Sequence, residues 1–100
     1  MIEYTSTANI DFSKGIIILE FYARWCGTCR QVTKSIQFLE ETYPYSFVRV
    51  NTETEKAFTN LYHVQGIPVI VILKDGMEMD RIVGSKTISE LKLDLDSLKL

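Results

Sequence analysis

The residues best suited to chemistry are two cysteines, Cys26 and Cys29, three positions apart and the only thiols in the chain. A disulfide between them closes almost no loop, so stapling the fold is a poor reason for the pair. Thiol exchange or metal binding is a better one. A structural zinc site needs four protein ligands. The chain offers these two cysteines and one histidine, His63, so a zinc site needs a second chain to complete it. A Cys–His hydrolase through His63 is the weaker alternative. His63 ends a helical pattern, where a solvated or capping histidine is ordinary.

The elements around the pair favour exchange. Ile16–Tyr22 is β-branched and aromatic apart from Glu20, the pattern of a central strand buried on both faces. Cys29–Tyr43 carries Val32, Ile36, Leu39 and Tyr43 along one helical face, and Pro44 stops it. Cys26 therefore falls at a helix N-terminus. Free N–H groups and the positive end of the helix dipole favour an anion there, and a thiolate is such an anion. Gly27 keeps the turn open to a second chain. Cys29 lies one turn in, placed to displace a partner captured by Cys26.

The rest of the chain supplies a sheet and its covers. Ile2–Tyr4 reads as an edge strand and Ser6 to Phe12 as a short helix. Ser46–Asn51 is a further strand, and Glu53–Tyr62 has Ala57, Phe58, Leu61 and Tyr62 at helical spacing. Pro68–Leu73 is a second buried strand. Lys74-Asp75-Gly76 is a hairpin turn, from which Glu78–Val83 returns antiparallel. Thr87-Ile88-Ser89-Glu90 is a capping box opening a last helix with Ile88, Leu91, Leu95 and Leu98 on its apolar stripe. The order is β-α-β-α-β-α-β-β-α. It implies an α/β domain over residues 1–100, with a mixed central sheet and helices on both faces.

Composition narrows the function further. Net charge is −2, and the 11 basic and 13 acidic residues are interspersed along the chain, which speaks against a phosphate-tracking surface and so against nucleic acid. The polar opening MIEYTSTANIDFSKG lacks a leader pattern. The longest apolar runs, Ile16–Leu19 and Val69–Leu73, are too short to cross a bilayer. These features lead us to expect a cytoplasmic protein with no membrane partner, although a trimmed secreted form would look the same; a monomer is expected, although no residue pattern decides it.

The segment Phe21-Tyr22-Ala23-Arg24-Trp25-Cys26-Gly27-Thr28-Cys29 resembles the thioredoxin active-site stretch, a strand running into W-C-G-P-C. Gly66-Ile67-Pro68, with its apolar strand and Lys74-Asp75-Gly76, resembles that family's proline loop and following hairpin. Val83-Gly84 resembles the glycine-bearing stretch beside it. Three landmarks in order across residues 16–99 are more specific than any one. The resemblance implies a thioredoxin fold and a protein disulfide oxidoreductase, with Cys26 as nucleophile and Cys29 resolving. Its partners are then disulfide-containing proteins and a flavoprotein reductase that delivers electrons from NADPH. The chain itself binds no cofactor beyond its Cys26–Cys29 disulfide.

The resemblance also assigns supporting roles. Pro68 is expected to be cis, with Ile67 offering its backbone to an extended substrate. Gly84 lets that substrate lie close, where a plain bulge is the alternative. Trp25 is a docking lip or a core-capping aromatic. Glu20 matches the family's buried acid, usually Asp, which helps take the proton from the resolving cysteine. Burial would raise its pKa, whereas turning to the surface would leave it ordinary. Arg49 occupies the position of a family lysine that pairs with this acid, or is an exposed strand cation.

Two positions depart from the family pattern. Thr28 replaces the proline between the cysteines. Its N–H or hydroxyl can hydrogen-bond the Cys26 sulfur, so a less reducing potential is expected. Lys34 replaces a helix-kinking proline, which predicts a straighter helix. A redox-inert binding subunit is the rival from another functional class, and a reductant dedicated to one partner is a third reading.

Overall fold

The computed structural model describes all 100 residues. Its strands are β1 (Ile2–Glu3), β2 (Ile16–Tyr22), β3 (Ser46–Asn51), β4 (Val69–Lys74) and β5 (Met77–Val83). Its helices are α1 (Gly27–Glu40), α2 (Lys56–Leu61) and α3 (Ile88–Ser97). The five strands form one sheet in the order β1-β3-β2-β4-β5. β3 pairs parallel with both β1 and β2, while β4 runs antiparallel to β2 and to β5. The thioredoxin-type α/β sheet expected from the sequence is therefore present.

Side chains alternate across β2. Ile18 faces α1 and α3, where Val32, Ile36, Leu39, Leu91 and Leu95 close one core. Ile17, Leu19 and Phe21 face the other side, covered by Phe58 and Tyr62. Burying a Leu, Ile or Phe side chain is worth about 1.5–3 kcal/mol. A strand packed on both faces is thus held firmly just before the chain reaches Cys26.

One expected element is missing. Residues 6–12 form turns rather than a helix. Asp11 Oδ1 accepts the Ser13 N–H at 3.0 Å, a local bond that competes with helix formation. The segment instead lays Tyr4, Ile10 and Phe12 over the second core. Helix α2 is shorter than its pattern suggested. Asn51 Oδ1 accepts the Glu53 N–H at 2.9 Å and holds the preceding residues in a turn. Of the four apolar positions Ala57 and Leu61 then face solvent, while Phe58 and Tyr62 pack inward. Helix α1 ends at Glu40, before Pro44 is reached, and runs uninterrupted past Lys34. The hairpin forms as its sequence demands: Asp75 (φ 49°) and Gly76 (φ 85°) both take the left-handed conformation that a tight β4–β5 turn requires. Thr87 and Glu90 make the reciprocal capping box of α3.

Candidate active site

Cys26 caps α1, with extended backbone angles (φ −85°, ψ 107°). Its sulfur accepts the Cys29 N–H at 3.2 Å and lies 3.4 Å from the Thr28 hydroxyl. The donors anticipated from the helix start are thus in place. The backbone donor belongs to Cys29, however, while Thr28 contributes its hydroxyl. The two cysteines form a disulfide, with their Cα atoms 5.2 Å apart. Both are buried, packed with Tyr22 and Ala23 and flanked by Ile67.

Glu20 lies on the same face of β2 as Ile18 and is completely buried. In register it stands beside Arg49 on β3, which stands beside Glu3 on β1. The row alternates acid, base, acid. Arg49 lies 3.7 Å from each carboxylate, with its guanidinium 3.9 Å above the Tyr22 ring. Tyr22 donates its hydroxyl to Glu3 at 2.7 Å. Burial pushes Glu20 up from 4.5 to about 7, against the opposing pull of Thr33 and Arg49. The surface alternative for Glu20 is excluded, and Arg49 is its partner.

Thr33, half a helix in from the cysteines, was missed by the sequence reading. Its hydroxyl touches Glu20 Oε2 and also lies 2.9 Å from the Cys29 carbonyl. A hydroxyl has one hydrogen and can donate to only one of them. A protonated Glu20 resolves the conflict by donating to Thr33, which then donates to Cys29. An ionised Glu20 takes the hydrogen for itself. The available signal was a polar residue on the inward face of α1, between Val32 and Ile36.

The docking residues gather around the pair. The Ile67–Pro68 peptide is cis. The Pro68 carbonyl accepts the Gly84 N–H at 2.9 Å. Gly84 has φ 92°, a conformation that excludes most side chains. Trp25 is 68% exposed, so it is not a core cap. With Val64, Gly66 and Ile67 it lines a cavity of about 370 Å³. A second cavity, about 300 Å³, opens beside Cys29 and Thr33 and is walled by Arg24, Arg30 and Arg49. His63 is exposed at the end of α2, with φ 54°, and joins neither cavity. No cluster of three His, Cys, Asp or Glu side chains could hold a metal ion. No helix is long and apolar enough to cross a membrane.

The family model named Thioredoxin matches residues 3–97, almost the whole chain. The chain belongs to the thioredoxin family. A thioredoxin of Chlamydia caviae is 34% identical over 89 residues, covering 86% of this chain and 87% of that protein. An H-type thioredoxin of Fagopyrum esculentum is 38% identical over 72 residues, covering 71% and 62%. Among solved structures, a mutant thioredoxin from Halobacterium salinarum superposes with a TM-score of 0.88 at 22% identity, covering 99% of this chain and 90% of that one, a likeness of fold. Family membership, with the cysteine pair at disulfide distance, makes the chain a thiol–disulfide oxidoreductase.

Proposed function

We propose that the chain acts as one domain that reduces disulfides in other proteins, with Cys26 attacking and Cys29 resolving. The Cys26 thiolate attacks one sulfur of the target disulfide. The target S–S bond breaks, a mixed disulfide forms, and the other target sulfur leaves as a thiolate that takes up a proton. Cys29 then loses its proton and attacks the Cys26 sulfur. The second target thiolate departs and is protonated, and the Cys26–Cys29 disulfide closes. Two electrons have passed from the pair to the target.

The observation that carries this reading is the placement of the Cys26 sulfur at the cap of α1, where it receives the Cys29 N–H and faces the Thr28 hydroxyl. These donors stabilise a thiolate before any substrate arrives. Glu20 is the proton acceptor for Cys29. Its elevation to about 7 suits a group that must take and return a proton near neutrality. Thr33, one turn beyond Cys29 on α1, binds the Glu20 carboxylate. Trp25, Gly27, Thr28, Ile67, Pro68 and Gly84 form the surface on which an extended substrate lies, with Ile67 offering backbone hydrogen bonds. A separate flavoprotein, fed by NADPH, returns the disulfide to the dithiol. That need places the chain in a reducing compartment, the cytosol.

An insulin reduction assay driven by dithiothreitol tests the proposal. The chain should accelerate precipitation of the reduced B chain, and Cys26→Ser should abolish the effect. Cys29→Ser should accumulate a covalent mixed disulfide on Cys26, read by mass spectrometry. Undiminished turnover by Cys26→Ser would refute the reading.

A further inference from the structure

The chain is acidic overall, with net charge −2, yet three of its four arginines wall one cavity beside Cys29. Positions 24, 30 and 49 are scattered in sequence, which hid the grouping. Their states differ. Arg49 lies against Glu3 and Glu20 and stacks on Tyr22. Arg81, outside the cavity, is held by Glu78 at 2.8 Å. Arg24 and Arg30 are exposed and have no carboxylate within 4.0 Å. Arg30 donates to the Arg24 carbonyl at 3.2 Å, a bond that ties its guanidinium towards Arg24 and uses one of its five donors. Both arginines thus line one cavity without a carboxylate partner of their own. The Glu3 carboxylate at the cavity wall is already engaged by Tyr22 and Arg49.

We propose that Arg24 and Arg30 form a carboxylate-binding site that selects polypeptide disulfides carrying an acidic side chain near the reacting cysteine. The proposal rests on the exchange reading above and adds the chemistry of the substrate. Arg24 lies two residues before Cys26, and Arg30 follows Cys29 directly. Both positions thus flank the cysteine pair to which a substrate disulfide must come. Their forks match a carboxylate in a bidentate manner. The cavity, at about 300 Å³, takes one acidic side chain with water, not a polyanion track. The opposite flank, lined by Trp25, Thr52, Val64, Gln65, Gly66 and Ile67, carries no charge. The preferred substrate therefore places an uncharged residue on the Trp25 side and an acid on the Arg30 side.

The test uses three cystine-bridged peptides, identical except for Asp, Ser or Lys two residues from each cysteine. The full chain reduces each one, and kcat/KM is read at about 20 mM and about 300 mM salt, conditions that weaken and strengthen screening. The Asp peptide should exceed the Ser peptide about tenfold at low salt and about twofold at high salt. The double variant Arg24→Gln/Arg30→Gln should lose the preference, read as the ratio of Asp-peptide to Ser-peptide turnover so that any common change in thiolate reactivity cancels. Arg24→Glu/Arg30→Glu should invert it in favour of Lys, and Arg24→Lys/Arg30→Lys should retain part of it. Equal turnover of the three peptides by the unmodified chain, or a preference that survives the Gln variant, would overturn the site. No turnover of any peptide would instead bring down the exchange reading, and the site with it.

Discussion

The redox pair has two flanks built on opposite terms. In front of Cys26 the surface is open, uncharged and partly apolar, with Trp25 68% exposed. Behind Cys29 the structure is closed and ionic, with Glu20 wholly buried against Thr33 and Arg49. On the open flank Ile67 and Val64 lean on the cores while the Trp25 ring projects into solvent, free to meet a second chain. The closed flank holds a carboxylate that burial makes costly, and its hydrogen-bond partners reach the Cys29 backbone. Proton handling is thereby kept in the interior at Glu20, apart from the Trp25 docking surface, while the exposed Arg24 and Arg30 line the cavity that opens beside Cys29.

Changing Glu20 should have the largest effect. Its pKa is about 7 in the fold, against an ordinary 4.5. Below about pH 4.5 both folded and unfolded chains hold the proton. Between there and about 7 only the folded chain keeps it, so stability falls as pH rises through this window, by about 3 kcal/mol in all. Glu20→Gln should remove that slope and unfold later than the parent in denaturant at pH 8. It should also slow resolution by Cys29, read as a longer-lived mixed disulfide. An unchanged pH slope in the variant would detach Glu20 from the closed flank.

Thr33→Val keeps the shape of the side chain and removes the hydroxyl. Glu20 then loses a bond that favours its charged form, so its titration, followed by carboxyl carbon NMR, should move upwards. The cost in stability at pH 8 should be about 1–3 kcal/mol. A downward or absent shift would show that Thr33 does not bind the carboxylate.

Thr28→Pro removes one donor to the Cys26 sulfur at a position in the first helical turn, where proline is tolerated. We expect the variant to be more reducing by about 30 mV, corresponding to about 1.4 kcal/mol, measured against a glutathione or dithiothreitol couple. A parent potential equal to or lower than that of the variant would defeat this view of Thr28. On the open flank, Trp25→Ala should be the mildest change. KM for protein disulfides should rise about fivefold, with kcat and the pH profile unaltered. A shifted pH profile would mean that the two flanks are not separate.

The open flank was the more legible in sequence. Cys26, Trp25, Ile67, Pro68 and Gly84 sit in contiguous motifs with their neighbours attached. Local periodicity also gave β2 and β3 their observed bounds. Where side-chain bonds to the backbone outcompeted local propensity, at Asp11 and Asn51, helices were over-read. The closed flank was legible only in part. Glu20 was conspicuous as a lone acid in an apolar strand. Thr33, Arg24 and Arg30 were not, because their meaning depends on strands and a helix meeting in three dimensions. The two unpaired arginines in particular look like ordinary solvated cations until the cavity between them is seen.

The central claim is that the start of α1 holds Cys26 as a reactive anion. The direct test is the rate of iodoacetamide alkylation of the reduced protein across pH, with Cys26 modification resolved by peptide mass. At pH 7 Cys26 should react on the order of tenfold faster than free cysteine, with the rate levelling off at lower pH than for the free amino acid. A rate and pH profile indistinguishable from those of free cysteine would contradict it.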